Sequence, residues 1–300
     1  MQRRSVLGVI IGLLLFVLSS YFLPLPTVSV QAKPAVTKPK GLTLSPLRSE
    51  LDIAPGTSLD GTLAITNSTD KAMVVGLNAE EFSVINQQYD YAFTQESEVA
   101  KWVTFSPSEV DLAVGETKKI PFMVGVPLAA EPGGSYISLF ASTDAAASDG
   151  GVNSRQRIAS LLYITVIGNV TRAGHLVSLS SPWAVSGKSM WSIALQNTGT
   201  THFRSRYSVM VQNLLGYDVG AKTTGDALIL PGTVRSVADT MPLPKLPGLY
   251  KYIYAIGLGD TPAVTETRLV LYVPTVAIVI GLISIILLGS LFVRRQASRR

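Results

Sequence analysis

Two histidines and no cysteine stand among 300 residues, so the chain is poor in side chains suited to metal ligation or nucleophilic catalysis. His175 precedes the alternating run Leu176-Val177-Ser178-Leu179, and His202 follows the turn Asn197-Thr198-Gly199-Thr200-Thr201. Both read as surface or turn residues. Gly187-Lys188-Ser189 has the ending of a phosphate-binding loop, but Pro182 occupies the place of that motif's first glycine. Gly257-Leu258-Gly259 fails as a dinucleotide fingerprint in the same way, with Pro262 where the third glycine belongs. Glu80 and Glu81 are neighbours in a strand-like run and should point to opposite faces, which suits a solvated edge better than acid/base chemistry. Asp144 and Asp149 lack the regular carboxylate ladder of a calcium loop. The sequence therefore points to a protein that is not an enzyme and needs no cofactor or metal.

Aromatic residues offer binding chemistry instead. Tyr250, Tyr252 and Tyr254 alternate and share one face of a strand, opposite Leu249, Lys251, Ile253 and Ala255. Facing solvent, they would make a rigid amphipathic contact strip; facing inward, they would be core. Tyr89, Tyr91 and Phe93 lie in a long loop between Ile85 and Trp102 and form a second candidate surface, with Trp102 read as core.

The two ends of the chain locate these groups. Residues 274–293 carry no charge and are long enough as a helix to cross roughly 30 Å of hydrocarbon, and Arg294, Arg295, Arg299 and Arg300 follow at once. Basic flanks stay cytoplasmic, so a single-pass span should leave residues 294–300 inside and everything before it outside. At the other end, Arg3 and Arg4 precede an apolar run from Val6 to Leu23, and Val30-Gln31-Ala32 has small residues at a signal-peptidase spacing. Residues 1–32 read as a signal peptide, or as an uncleaved second anchor with the same topology. Six of the 25 basic residues belong to these flanks, while all 20 acidic residues lie between Lys33 and Tyr272, so the intervening part carries 19 against 20. The formal charge of +5 is thus a topology signal and not a nucleic-acid-binding surface. With no cysteine, the exported domains must be held by their cores, which suits a bacterial envelope protein. Asn67-Ser68-Thr69 and Asn169-Val170-Thr171 match the glycosylation triplet, a pattern that often arises by chance.

Between the ends, residues 33–41 form a Pro/Lys linker and then a period-two pattern begins. Leu63 and Ile65; Met73, Val75 and Leu77; Val110, Leu112 and Val114; and Ile120, Phe122, Val124 and Val126 each fall on one face of a strand. A turn grammar repeats: Ala54-Pro55-Gly56 and Ala113-Val114-Gly115 each follow a Ser-Pro pair, and Leu230-Pro231-Gly232 is a third instance, each with a glycine able to adopt positive φ. A second unit, Pro132-Gly133-Gly134-Ser135-Tyr136, recurs as Pro247-Gly248-Leu249-Tyr250. The fold class expected is all-β: two Ig-like antiparallel β-sandwiches, residues 42–168 and 169–272, with a C-terminal transmembrane helix. The stretch 143–154 is expected at a hairpin tip, and 158–167 as the last strand of the first domain.

Domain one, through Trp102-Val103-Thr104-Phe105-Ser106-Pro107, Val114-Gly115-Glu116-Thr117-Lys118-Lys119-Ile120 and Val126-Pro127, resembles the Ig-like N-terminal domain of WxL-interacting cell-surface proteins. Domain two, through Leu195-Gln196-Asn197-Thr198-Gly199 and Leu230-Pro231-Gly232, is similar to related envelope proteins of small-genome bacteria. The resemblance implies attachment at a Gram-positive-type envelope, with peptidoglycan as a partner of domain one and a surface protein as a partner of domain two. The function expected is a non-enzymatic adhesion or scaffolding protein of the cell surface. The alternative is a membrane-tethered assembly chaperone for surface or pilus subunits, acting by β-strand addition.

Overall fold

A computed structural model describes residues 41–143 and 156–298. The expected signal peptide 1–32, the linker up to position 40, Arg3, Arg4, Arg299 and Arg300, and Asp144 and Asp149 with the expected hairpin tip lie outside the described residues. Strands β1 (Leu42–Ser45), β2 (Arg48–Ile53), β3 (Ser58–Asn67), β4 (Met73–Val84), β5 (Tyr91–Thr94), β6 (Val103–Phe105), β7 (Glu109–Leu112), β8 (Thr117–Gly125), β9 (Gly133–Thr143) and β10 (Arg157–Val166) build the first sandwich. One sheet runs β1-β3-β8-β6; the other runs β2-β10-β9-β4-β5, with β7 also on β4. Period two sets which side of each strand is dry: along β8, Ile120, Phe122 and Val124 are buried between exposed Lys119, Pro121 and Met123. Val114 departs from the expected alternation, because β7 ends at Leu112 and Val114 stands exposed in the turn that follows.

The second sandwich contains β11 (Gly174–Ser180), β12 (Ala184–Val185), β13 (Met190–Asn197), β14 (Phe203–Asn213), β15 (Asp218–Ile229), β16 (Val234–Thr240), β17 (Gly248–Leu258) and β18 (Thr261–Tyr272), in sheets β11-β13-β16 and β12-β18-β17-β14-β15. Trp191, 2% exposed, centres its core with its ring 4.9 Å from that of Tyr254. The two sandwiches share one construction. In each, the opening stretch of chain divides between the sheets, and its second half lies parallel to the last strand: β2 along β10, and β12 along β18.

The repeated turn grammar has a physical counterpart. Gly56, Gly115 and Gly232 all adopt positive φ, at 75°, 73° and 69°. Two of these turns close on a buried asparagine that ends a strand. Gly115 N donates to Asn67 O, and Gly232 N donates to Asn197 O, at 2.9 and 3.0 Å. The Asn67 side chain, wholly buried, donates to the carbonyls of Lys71, Leu112 and Ala113 and accepts from Thr69. Asn197 does the same with Thr201, Ile229 and Gly199. One amide thus satisfies several carbonyls that the turns leave unpaired. A side chain so enclosed is closed to modification, so the Asn67-Ser68-Thr69 triplet is a structural motif.

After Tyr272, two residues lead to helix α1 (Thr275–Ala297), 23 residues long, with an 18-residue stretch of mean hydropathy 2.9 and no buried side chain. It is the one helix among the described residues long and apolar enough to cross a membrane. Arg294 and Arg295 occupy its last turn.

Replacing Asn67 or Asn197 by alanine strands buried carbonyls without donors, and should cost about 1–3 kcal/mol each. Urea unfolding of the full chain checks this, with exposed Asn169→Ala as the neutral control.

Candidate functional site

The tyrosine strip is a core and not a surface. Tyr250, Tyr252 and Tyr254 are 8%, 0% and 0% exposed, on the face of β17 that meets β13 across the sandwich. Their hydroxyls are spent on internal bonds, to Leu246 O, Pro242 O and Ser181 Oγ at 2.8, 2.8 and 2.7 Å. Burial pushes the Tyr252 and Tyr254 phenols above their ordinary pKa. Period two made the three residues share a face, but it could not say which face the opposite sheet would cover.

The second aromatic candidate is divided: Tyr89 is buried, Tyr91 is half-buried and Phe93 is exposed. Tyr91 and Phe93 on β5 lie along the outer face of the larger domain-one sheet, the Tyr91 ring 5.3 Å from Phe82 and the Phe93 ring 5.0 Å from Phe140. Phe93 retains 40% exposure; Tyr91 is half-buried. Below them Arg157 stacks on Phe140 and pairs with the buried Glu80 carboxylate. Burial alone would raise the Glu80 pKa, but the hydrogen bond and charge of Arg157 outweigh it and hold the group below its ordinary value. Glu80 is thus a buried ion-pair partner, against the solvated-edge expectation.

Tyr89 reaches into the other domain. It sits at φ 70°, the one positive value at a non-glycine residue among those described, in the turn between β4 and β5. Its hydroxyl accepts from Leu230 N at 2.8 Å and lies 2.8 Å from Thr233 Oγ1, while Arg235 stacks on the ring 4.3 Å from its centre. Beside it, Ser236 donates to Gln87 through both backbone and side chain. Phe82, Tyr89 and Tyr163 consequently belong to the same apolar cluster as Trp191 and the buried tyrosines of domain two. The two sandwiches share a dry seam.

A cleft of about 370 Å³ opens at this junction. Glu50 and Asp52 of β2 form one wall, and Arg172, Arg204 and Asp260 of domain two form the other. Arg204 pairs with both Glu50 and Asp226, and these bonds raise its own pKa and draw Asp226 below the usual carboxylate range. At the cleft floor His202, 7% exposed, lies with Nδ1 3.5 Å from the Tyr136 hydroxyl. Burial holds its pKa below the ordinary value, so the imidazole is neutral near pH 7. The charges of the cleft largely neutralise one another, and no cluster of three metal-capable side chains occurs among the described residues.

A second feature is an unfilled strand edge. In domain one, β2 covers the outer edge of β10 over six residues, Leu161 to Val166. In domain two, β12 covers only Leu271 and Tyr272 of the twelve-residue β18. No described strand pairs with that edge over residues 261–270, a length of roughly 30 Å. The other long edge, β15, is interrupted by two register shifts and tied across to β16 by the Lys222–Asp239 ion pair. Neither the edge nor the junction carries a local sequence signal. Tyr89 and Leu230 are 141 positions apart, and an open edge is defined by a strand that is not there.

No family model matches the chain, and no curated protein does. Some solved structures give likenesses at low identity. A class 5 fimbriae chaperone, CfaA, is 11% identical over 76% of this chain and 99% of its own, with a TM-score of 0.41. The Salmonella enterica SafA pilin in complex with the SafB chaperone gives 12% identity over 77% and 97%, with a TM-score of 0.38. A protein of unknown function from Porphyromonas gingivalis gives 15% over 77% and 98%, with a TM-score of 0.31. These likenesses transfer no site or partner to this chain.

The buried His202 sets a pH dependence. Its folded pKa is depressed, so its contribution is complete above the unfolded value near 6.5 and is lost as pH falls below it, when the unfolded chain takes up a proton that the folded one resists. Stability should fall between pH 7 and 5 with a slope of at most roughly 1.4 kcal/mol per pH unit. Thermal unfolding of His202→Gln across that range should be flatter than that of the parent chain.

Proposed function

We infer that this is a membrane-tethered, non-enzymatic protein-binding module of the cell envelope, which holds a partner as a β-strand added to the outer edge of β18. The observation that carries the reading is the difference between the two halves of an internal repeat. Domain one supplies its own covering strand, and domain two leaves the equivalent place almost empty. An unpaired row of backbone N–H and C=O groups is a template for strand addition, and a natural monomer with a long one needs a use for it. Of the two roles open to such a protein, this mode favours the assembly chaperone over the adhesin. The enclosed tyrosines remove the exposed strip an adhesive contact would have used.

The anchor supports the location. Arg294 and Arg295 close an apolar helix, and basic residues at a helix end favour the cytoplasmic side, which puts the sandwiches outside. Attachment at the envelope agrees with what the likeness to WxL-interacting proteins implies. A peptidoglycan contact through domain one belongs to the adhesive role and would leave the β18 edge unused.

Adjacent residues in a strand send their N–H groups to opposite sides, so of Thr265 and Glu266 one donates toward β17 and the other outward. Of Thr265→Pro and Glu266→Pro, one should lower the unfolding temperature, and the other should leave it unchanged while abolishing partner capture. Capture is read by photo-crosslinking from position 267 of the full chain in membranes. Retention on purified peptidoglycan with no edge crosslink would instead return the adhesive role.

A further inference from the structure

The register of the second domain brings several exposed apolar groups to one end of the sandwich. Tyr272 is paired with Gly248, and Val270 with Tyr250, which is in turn paired with Asn213. The β14–β15 hairpin tip that follows Asn213 and the loop that precedes Gly248 therefore lie at the end of the sheet where β18 stops. Trp183 is at the same end, because its carbonyl accepts from Leu271 N at 2.8 Å. Only Val273 and Pro274 separate β18 from α1, and Thr275 Oγ1 reaches Ser186 O at 3.4 Å. Helix and sandwich end are thus joined by a connector too short to hold them more than about 10 Å apart.

This end is unusually apolar. Leu215 is 83% exposed, Trp183 78%, Leu246 70% and Tyr217 68%. Elsewhere on the described sandwiches, only Leu47 and Leu128 are as open, and they stand singly. Exposed apolar groups gathered in one place mark a contact surface, whereas scattered ones need no explanation. The hairpin tip is held rigid while presenting its leucines: Asn213 Oδ1 accepts from Leu215 N and Tyr217 N at 3.0 and 2.9 Å, and Gly216 supplies φ 90°. The charged residues at this end are Lys188, Lys245, the half-buried Lys251 and Asp218, the last accepting from Gln212 at 2.8 Å. Lys188 and Lys245 are exposed and have long stems suited to reaching lipid phosphates.

The geometry points to a membrane-seated rim: Trp183, Leu214, Leu215, Tyr217 and Leu246 insert into the headgroup and upper acyl region of the leaflet next to α1, with Lys188 and Lys245 on anionic lipid. The occupant is the bilayer surface, because a two-residue connector places that surface against these residues whenever α1 spans it. Trp and Tyr are the side chains that favour the interface, with an apolar body and a polar tip. Seated this way, the sandwich stops swinging on its tether, and the β18 edge stands at a fixed angle to the membrane. The inference rests on the reading of α1 as a membrane anchor.

The test uses the full chain in phosphatidylcholine/phosphatidylglycerol nanodiscs, with bromine placed high on the acyl chains or absent. Trp102 and Trp191 emit as well, so the signal of Trp183 is the difference between the parent chain and Trp183→Phe. That difference should be quenched by the brominated lipid and shielded from aqueous iodide. Leu215→Asp with Leu246→Asp should shift it toward iodide access while the chain remains disc-bound. If the chain is disc-bound but the Trp183 signal is open to iodide and untouched by bromine, the rim is wrong and the anchor stands. If the chain leaves the discs, the anchor and the rim fall together.

Discussion

The two sandwiches are joined where Tyr89 crosses from one to the other. Its hydroxyl meets a backbone N–H of domain two, its ring is covered by Arg235, and the strained turn that carries it is held by those contacts. A hydrogen bond of this kind contributes only about 1 kcal/mol net, but the aromatic burial around it is worth more and excludes water from the seam. Tyr136, Tyr163 and His202 extend the seam, with ring centres 5.5 to 5.9 Å apart. Two sandwiches that might have hung as beads on a string become one body, whose edges and ends have fixed directions.

Ionic groups at this junction have a different task. The pairing of Arg204 with Glu50 and Asp226 is about one-third exposed on each partner, and such a pair adds little stability in water. It does favour one orientation, because only Glu50 reaches Arg204 from the other sandwich, whereas Asp226 lies on the neighbouring strand of the same one. The apolar seam supplies the adhesion, and the Arg204–Glu50 pair at its rim adds a directional contact. The same division recurs around Arg157 and Glu80, where the carboxylate is fully enclosed and removal of the arginine would leave a buried charge.

Internal repetition makes the asymmetry of function visible. Both sandwiches end a strand on a buried asparagine, turn at a positive-φ glycine, and lay an early strand parallel to a late one. They differ where the outside world begins. Domain one is closed at its last strand and buried on its seam side, while domain two carries the open β18 edge, the apolar end and the helix. The open edge, the apolar end and the long apolar helix are therefore all in the second half of the chain.

Local pattern was enough for much of this. Alternation in Ile120, Phe122 and Val124, the Pro-Gly and Val-Gly turns, the run of 158–167 as a closing strand, and the uncharged stretch after Pro274 all act within a few residues, so they can be read without a fold. The reach of these signals also limits them. Tyr250, Tyr252 and Tyr254 share a face by period two, but a strand has two faces, and only the sheet packed across from it decides which is dry. Tyr89 looked like a loop aromatic because its partners lie more than 140 positions later. His202, Glu50 and Arg204 meet only once both sandwiches have formed, and the free edge of β18 exists only relative to the strand that covers β10. Periodicity along the chain determined the strands and the long apolar helix; the choice of inside and outside, and every contact between the domains, awaited the packing of surfaces far apart in sequence.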